Sequence, residues 1–247
     1  MEQRPRLSVV LPAHDEEDNI TLAIGRVREM GERLCDEYEI VIVDDGSKDA
    51  TARIVRDLAA SDDRIKLIQH ETNLGYGEAL RTGFRSATKD WVFFTDADNQ
   101  FDLAEIEAFI SWTDRVDVVA GYRIDRQDPF MRRFFAKGWN ILVRMLFYVP
   151  VRDIDCAFKL FRRSAIDRVD LESIGAMVNT ELMVKLARSG ASVVEIGVTH
   201  LPRTAGKASG ARPRVIFKAF SELWHMRSRL RSVEAETFGA PPSARTR

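Results

Sequence analysis

Asp96-Ala97-Asp98-Asn99-Gln100 sets two carboxylates and a side-chain amide at alternate positions, directly after the apolar run Trp91-Val92-Phe93-Phe94-Thr95. In an extended segment, residues two apart project to one side. Asp96, Asp98 and Gln100 would then form a half-shell of hard oxygen donors. Mg²⁺ and Mn²⁺ suit such a shell and complete it with water or substrate phosphate rather than a full protein cage. An isolated pair of this spacing is more often an acidic surface turn. What separates the two readings is the place to which the preceding strand delivers it.

Two other segments carry polar chemistry. Asp44-Asp45 ends an apolar run before Gly46-Ser47, and a carboxylate there can accept hydrogen bonds from a base or a ribose. Helix capping accounts for Ser47 or Asp49 but leaves the paired Asp44 and Asp45 unexplained. Asn73-Leu74-Gly75-Tyr76-Gly77 leads into a helical pattern. Its glycines permit close backbone approach to a ligand, or only a tight turn.

The elements that position these residues follow from hydrophobic periodicity. Strands are expected at Leu7 to Leu11, Glu39 to Val43, Arg64 to Gln69, Asp90 to Thr95 and Asp117 to Ala120. Helices are expected between them, at about 16–34, from Asp49, over Gly77 to Ala87 and over Leu103 to Trp112. This alternation predicts right-handed crossovers and a mainly parallel sheet. Ligands of such sheets bind beyond the carboxyl ends of the strands. His14-Asp15-Glu16, Asp44-Asp45 and Asp96–Gln100 all fall at that edge, which favours one shared site. The second half is less regular: a long basic amphipathic helix from Pro129 to Phe147, a strand from Cys156 to Phe161, a helix from Asn179 to Arg188 and a strand from Ser192 to Ile196.

The 247 residues carry a formal charge of −1, with hydrophobic residues at 45% and charged residues at 30%, as in an ordinary globular protein. Such a balance argues against a nucleic-acid partner. Basic residues nonetheless gather at 123–144 and 203–231, where an anionic partner would fit. Cys35 and Cys156 match neither a disulfide framework nor a zinc site and read as reduced core residues. The opening Met1-Glu2-Gln3-Arg4-Pro5-Arg6 lacks the apolar run of a signal peptide, and no segment has the uninterrupted apolar length of a membrane span. The expectation is a cytoplasmic protein that does not cross a membrane, with room for peripheral contact at its inner face.

Taken in order, Val9-Val10-Leu11-Pro12-Ala13-His14-Asp15-Glu16, Val43-Asp44-Asp45-Gly46-Ser47-Lys48-Asp49-Ala50-Thr51, Asn73-Leu74-Gly75-Tyr76-Gly77 and Asp96-Ala97-Asp98-Asn99-Gln100 resemble the family 2 glycosyltransferases. The resemblance spans about residues 6–210 and is strongest to the dolichyl- and polyprenyl-phosphate mannosyl- and glucosyltransferases. It implies the GT-A fold, a Rossmann-like α/β architecture with a mainly parallel central sheet flanked by helices. It also implies inverting, metal-dependent transfer of a hexose from GDP-mannose or a UDP-sugar to a polyprenyl phosphate. Pro12, His14, Glu16 and Asp44 would line the nucleotide pocket, with Asp45, Gly75 and Ala97 in the same neighbourhood. His14 stands where the family usually has Tyr. Asp96 would lie near ribose and metal, and Asp98 and Gln100 would bind Mg²⁺ or Mn²⁺ directly.

The second half carries the narrower likeness, through Arg133, Lys137 and Asn140, Asp153-Ile154-Asp155-Cys156-Ala157-Phe158-Lys159, Asn179-Thr180-Glu181-Leu182 and His200-Leu201-Pro202-Arg203-Thr204-Ala205-Gly206-Lys207-Ala208-Ser209. By that likeness Arg123, Arg133, Lys137, Arg203 and Lys207 would hold the donor diphosphate and the acceptor phosphate, as guanidinium groups are suited to do. Asp155 is the residue expected beside the acceptor, with Glu181 second and Arg123 assisting. The expected organisation is one catalytic domain over 1–230, amphipathic helices at about 130–148 and 213–230, and a disordered tail over 235–247. Those helices interleave basic and apolar residues and suit either a membrane surface or partner, or the core. The other readings are a transferase acting on a soluble hydroxyl acceptor and a nucleotide-binding module without turnover.

Overall fold

The computed structural model describes residues 4–124, 130–147 (side chains from 138), 149, 151–203, 222–223 and 226–228. Lys207, most of the expected last helix, the tail over 235–247 and the side chains of Arg133 and Lys137 lie outside the described residues. The chain divides into two compact units, Met1–Ala208 and Ser209–Arg247. In the second, residues 222–223 and 226–228 are helical, with Leu223 and Met226 buried.

The first unit runs β1 (Arg6–Ala13), α1 (Ile20–Leu34), β2 (Glu37–Asp44), α2 (Thr51–Ala59), β3 (Ile65–Gln69), α3 (Tyr76–Ser86) and β4 (Trp91–Thr95). A 3₁₀ turn at Leu103–Glu105 then leads into α4 (Ile106–Ile110), β5 (Val118–Ile124), α5 (Phe130–Phe147), β6 (Phe158–Arg162), α6 (Arg163–Ile166), α7 (Val178–Arg188) and β7 (Val193–Thr199). The seven strands form one sheet in the order β3-β2-β1-β4-β6-β5-β7. The pairs β1–β2, β1–β4, β2–β3 and β5–β7 are parallel. Strand β6 runs antiparallel to both β4 and β5. The expected mainly parallel α/β sheet is what forms.

The central strands are apolar without alternation because helices cover both faces. Leu7, Val9, Val10 and Leu11 of β1 and Val92, Phe93 and Phe94 of β4 are fully buried. Alternation along β4 sends Phe93 to one face, where its ring lies 4.7 Å from Phe158, itself 4.9 Å from Phe109 of α4. Phe94 turns to the other face, where Phe84 of α3 sits 6.1 Å from Phe94 and 6.0 Å from Phe161. Among the described residues no helix is long and apolar enough to cross a membrane. Cys35 and Cys156 are buried free thiols, and burial pushes both up to about 12.

Two boundaries differ from the sequence pattern for local reasons. Strand β1 continues through Pro12 to Ala13 rather than stopping at Leu11. The Ala13 carbonyl accepts from Asp45 N on the β2 side, so Pro12 faces the β4 side, where pairing has ended at Val10. A missing N–H costs nothing there. Helix α1 starts at Ile20 rather than near 16. The intervening residues are laced to the loop after β2, with Asp15 N donating to Ser47 Oγ, Glu16 N to Thr51 Oγ1 and Glu17 N to Asp49 Oδ2.

The glycines before α3 serve contact within the protein. Gly75 has φ of 102°, and a β-carbon there would lie 2.7 Å from the Ile174 carbonyl oxygen. Gly77 donates its N–H to that oxygen at 2.6 Å, and a β-carbon on it would overlap the Ser173 carbonyl. Gly77→Ala should therefore destabilise the protein by about 1–3 kcal/mol, the usual cost of overpacking. Chemical denaturation checks this, and an unchanged midpoint would mean that the contact carries no stability.

Candidate active site

The sheet brings the polar segments to one edge. Strands β1, β2, β4, β5 and β7 share a direction, so their carboxyl ends present His14–Glu16, Asp44-Asp45, Asp96–Gln100, the β5 residue Arg123, and His200–Arg203. Strand β6 is reversed, so its amino end reaches the same edge and carries Asp153, Asp155 and Cys156 with it. Antiparallel insertion is thus what joins the second half of the chain to the first at this site.

The Asp96–Gln100 segment is a turn rather than the expected extended run. Ala97 and Asp98 lie in the turn, and Asn99 has φ of 59°, a region that Asn tolerates better than most residues. Asp98 Oδ1 accepts from Gln100 N at 3.2 Å, as short polar side chains in turns do. The Gln100 amide nitrogen donates to the Leu201 carbonyl at 3.2 Å, and Leu201 N donates to the Gln100 carbonyl at 2.8 Å. With its nitrogen so placed, the Gln100 side chain keeps its oxygen as the atom for a cation. The turn holds Asp96 and Asp98 close enough to repel each other. Burial, then the Asp98 charge, pushes Asp96 up to about 7, and burial raises Asp98 as well. A cation reverses that repulsion. Among the described residues no three His, Cys, Asp or Glu side chains form a metal cluster, so a cation here must draw on the amide oxygen, water or substrate.

At the carboxyl end of β2, Asp44 is fully buried. Its Oδ1 accepts from Ser47 N at 3.3 Å, while its buried Oδ2 has no hydrogen-bond partner. An acceptor left so is costly unless a ligand donates to it. Pro12 and Ala97 are buried beside this edge, and His14 is exposed with Nδ1 2.9 Å from the Asp45 carbonyl oxygen. Glu16 accepts from Asn19 Nδ2 at 2.6 Å and pairs with Arg203 Nη2 at 2.5 Å. Arg203 also stands 3.8 Å from Asp98 Oδ2, so it bridges two acidic loops. Asp45 and Gly75 are used internally. Asp45 Oδ1 accepts from Leu74 N at 2.9 Å and lies 2.8 Å from His70 Nδ1, and Oδ2 accepts from Gly75 N at 2.9 Å.

On the opposite side, Arg123 is gripped by Asp153, with Nε–Oδ2 and Nη2–Oδ1 both at 2.7 Å. Although burial opposes its charge, the Asp153 contacts hold the guanidinium protonated. Asp155 is half-buried next to this pair, and its charge bears on both Arg123 and Lys159. Lys159, fully buried, donates to the carbonyls of Ile154 (3.0 Å) and Cys156. Burial pulls its ammonium below the ordinary lysine range. Asn140 of α5 accepts from Ile154 N at 3.0 Å and ties that helix to the same loop. Glu181, expected as the second catalytic carboxylate, is buried and committed to structure. It accepts from Glu172 N at 3.1 Å and Ser173 N at 2.7 Å and pairs with Lys185 at 2.7 Å.

Three residues of the site had no assigned role in the sequence reading. Asp153 and Lys159 lie inside the quoted Asp153–Lys159 segment, where a lysine in an apolar strand was the available signal. The third is Tyr76, whose hydroxyl donates to Asp96 Oδ1 at 2.8 Å.

Residues 8–170 match the family described as Glycosyl transferase family 2. The chain is 29% identical over 245 residues to the polyprenol monophosphomannose synthase of Mycolicibacterium smegmatis, covering 91% of this chain and 89% of that protein. It is 31% identical over 213 residues to the undecaprenyl-phosphate 4-deoxy-4-formamido-L-arabinose transferase of Pseudomonas fluorescens, covering 85% of this chain and 62% of that one, so it spans less than two thirds of that relative. The glucosyl-3-phosphoglycerate synthase of Mycobacterium tuberculosis, solved with Mn²⁺, UDP-glucose and glycerol 3-phosphate, superposes with a TM-score of 0.61 at 19% identity, over 97% of this chain and 82% of that one. That likeness concerns the fold, which is GT-A. The chain belongs to glycosyltransferase family 2 and is a glycosyltransferase enzyme.

The raised Asp96 carboxyl has a measurable consequence. Between the ordinary value of 3.8 and about 7, the folded protein holds a proton there that the unfolded chain releases. That contribution to stability is present at low pH and lost as pH rises through the window. In EDTA, the wild type should lose more stability between about pH 5 and about pH 8 than Asp96→Asn does. Parallel pH profiles for the two proteins would overturn the assignment.

Proposed function

We propose that this enzyme transfers a hexose, with inversion, from a nucleoside-diphosphate sugar of the GDP or UDP type to a polyprenyl phosphate. The observation that carries the reading is the convergence of Asp96, Asp98 and the buried, unpartnered Asp44 Oδ2 at one sheet edge. Asp44 takes a donor from the base or ribose, beside Pro12, His14 and Glu16. Asp96, Asp98 and the Gln100 oxygen are the residues that would hold Mg²⁺ or Mn²⁺. Such an ion neutralises charge on the departing diphosphate. Mn²⁺ and UDP-glucose in the Mycobacterium tuberculosis structure support the donor class, and the lipid phosphates named in the two relatives support the acceptor class.

The residues divide the work by location. Arg203, with Lys207, receives the diphosphate. Asp155 orients the acceptor, and Arg123, with Arg133 and Lys137, would receive the acceptor phosphate. An acceptor phosphate oxygen forms the bond to the anomeric carbon as the bond to the diphosphate oxygen breaks. The acceptor arrives as an anion, so positioning contributes more than proton removal. Peripheral contact with the lipid's membrane at its cytoplasmic face belongs to the same reading. Ile141 and Met145, one turn apart on α5, are 48% and 70% exposed.

A donor screen by thermal shift with Mn²⁺ tests the nucleotide half, since a ligand of the folded state raises its apparent stability. One nucleoside diphosphate should raise the melting temperature where others do not, and Asp98→Ala should lose the metal-dependent part. A full shift retained in Asp98→Ala would sink the metal assignment. Labelled sugar should appear in polyprenyl phosphate with Mg²⁺ or Mn²⁺ present. Product formed without lipid, and indifferent to liposomes, would replace the lipid acceptor by a soluble one.

A further inference from the structure

We propose that Tyr76 is a positioning residue for the cation and leaving-group site, and that Asn73–Gly77 serves to place its hydroxyl on Asp96. This rests on the function proposed above and assigns a purpose to a motif which that function leaves unused.

Tyr76 is the first residue of α3, and its phenol has one hydrogen to give, which goes to Asp96 Oδ1 at 2.8 Å. The bond restrains the carboxylate rotamer and takes one lone pair of Oδ1, so it sets how the carboxylate faces a cation. Burial, then the Asp96 charge, keeps the phenol protonated and hence a donor. The Asn179 side chain, buried in the first turn of α7, bears on the same hydroxyl.

The backbone around Tyr76 is fixed from two directions. Behind Leu74 and Gly75, both Asp45 oxygens accept their N–H groups at 2.9 Å. Ahead of Tyr76, Gly77 N donates to the Ile174 carbonyl at 2.6 Å. The segment that supplies that carbonyl is held in turn by Glu181 through Glu172 N and Ser173 N. The missing β-carbons of Gly75 and Gly77 let this segment approach. Asp45 and Glu181 thus act at the two ends of one frame, with Tyr76 between them. Neither carboxylate needs to touch substrate to matter for the site.

Tyr76→Phe keeps the ring and its packing and removes only the donor. Partners of metal ligands typically account for about 10–100-fold in metal affinity. Mn²⁺ binding is measured by the resonance of the free ion, with UDP and separately with GDP. Tyr76→Phe should weaken Mn²⁺ by about tenfold or more, lower kcat and leave the metal-free melting temperature within about 2 °C of wild type. Unchanged Mn²⁺ affinity would overturn the proposal, as would a drop in metal-free melting temperature with affinity intact. A wild type that binds no Mn²⁺ with either nucleotide would instead remove the functional reading itself, a result that Tyr76→Phe does not produce.

Discussion

The structure depends on one electrostatic constraint: two carboxylates, Asp96 and Asp98, held together at the end of a strand with little solvent around them. Burial disfavours the charge of each, and each disfavours the charge of the other. Both are displaced upward, Asp96 to about 7. An arrangement built only for stability would place an apolar or singly charged turn there. The surrounding groups moderate the cost without removing it. Tyr76 donates to Asp96, Gln100 N to Asp98, Arg203 stands near Asp98, and the charges of Arg123 and Lys159 bear on Asp96. A divalent cation would relieve the remaining repulsion and so would couple binding to stability at this edge.

The reversed strand β6 supplies part of that moderation. Lys159 pairs in register with Phe94 of β4 and Ala120 of β5, so its ammonium starts from within the sheet. It reaches the carbonyls of the loop that carries Asp155. A parallel β6 would have sent that loop to the opposite edge, away from Asp96. Strand direction therefore decides whether the two halves of the chain can meet over one substrate. The Arg123–Asp153 pair has a similar effect. A bidentate clamp orients the guanidinium and restricts which of its nitrogens can turn to a phosphate.

Much of this was legible in the sequence because the first half obeys simple rules. Apolar strands, crossover helices and acidic strand ends define a mainly parallel sheet, and strand order puts Asp44, Asp96 and Asp98 at the carboxyl ends of its strands, where the structure has them. Other features follow from contacts remote in sequence, which periodicity does not encode. The turn at Asn99 replaces an extended run because Asp98 bonds locally to Gln100 N. Gly75 and Gly77 approach Ile174 and Ser173, about a hundred residues on. Glu181 has the residue type of a catalytic base, yet its oxygens are occupied by two backbone N–H groups and Lys185. Residue type states what a side chain can do, and its partners decide what remains for it to do.

Arg203 brings these threads together. In the structure its guanidinium is shared between Glu16 at 2.5 Å and Asp98 at 3.8 Å, so it is the local counterion of the acidic edge. A cation held by Asp96 and Asp98 would take over the neutralisation of Asp98. The guanidinium would then be less tied to Asp98, and a phosphate oxygen would offer it a charge-assisted partner. Cation and anion would in that case reinforce each other through this one side chain. The Glu16 contact gives that carboxylate a role that needs no phosphate contact. By keeping one guanidinium nitrogen it limits how far the arginine can swing from the acidic edge.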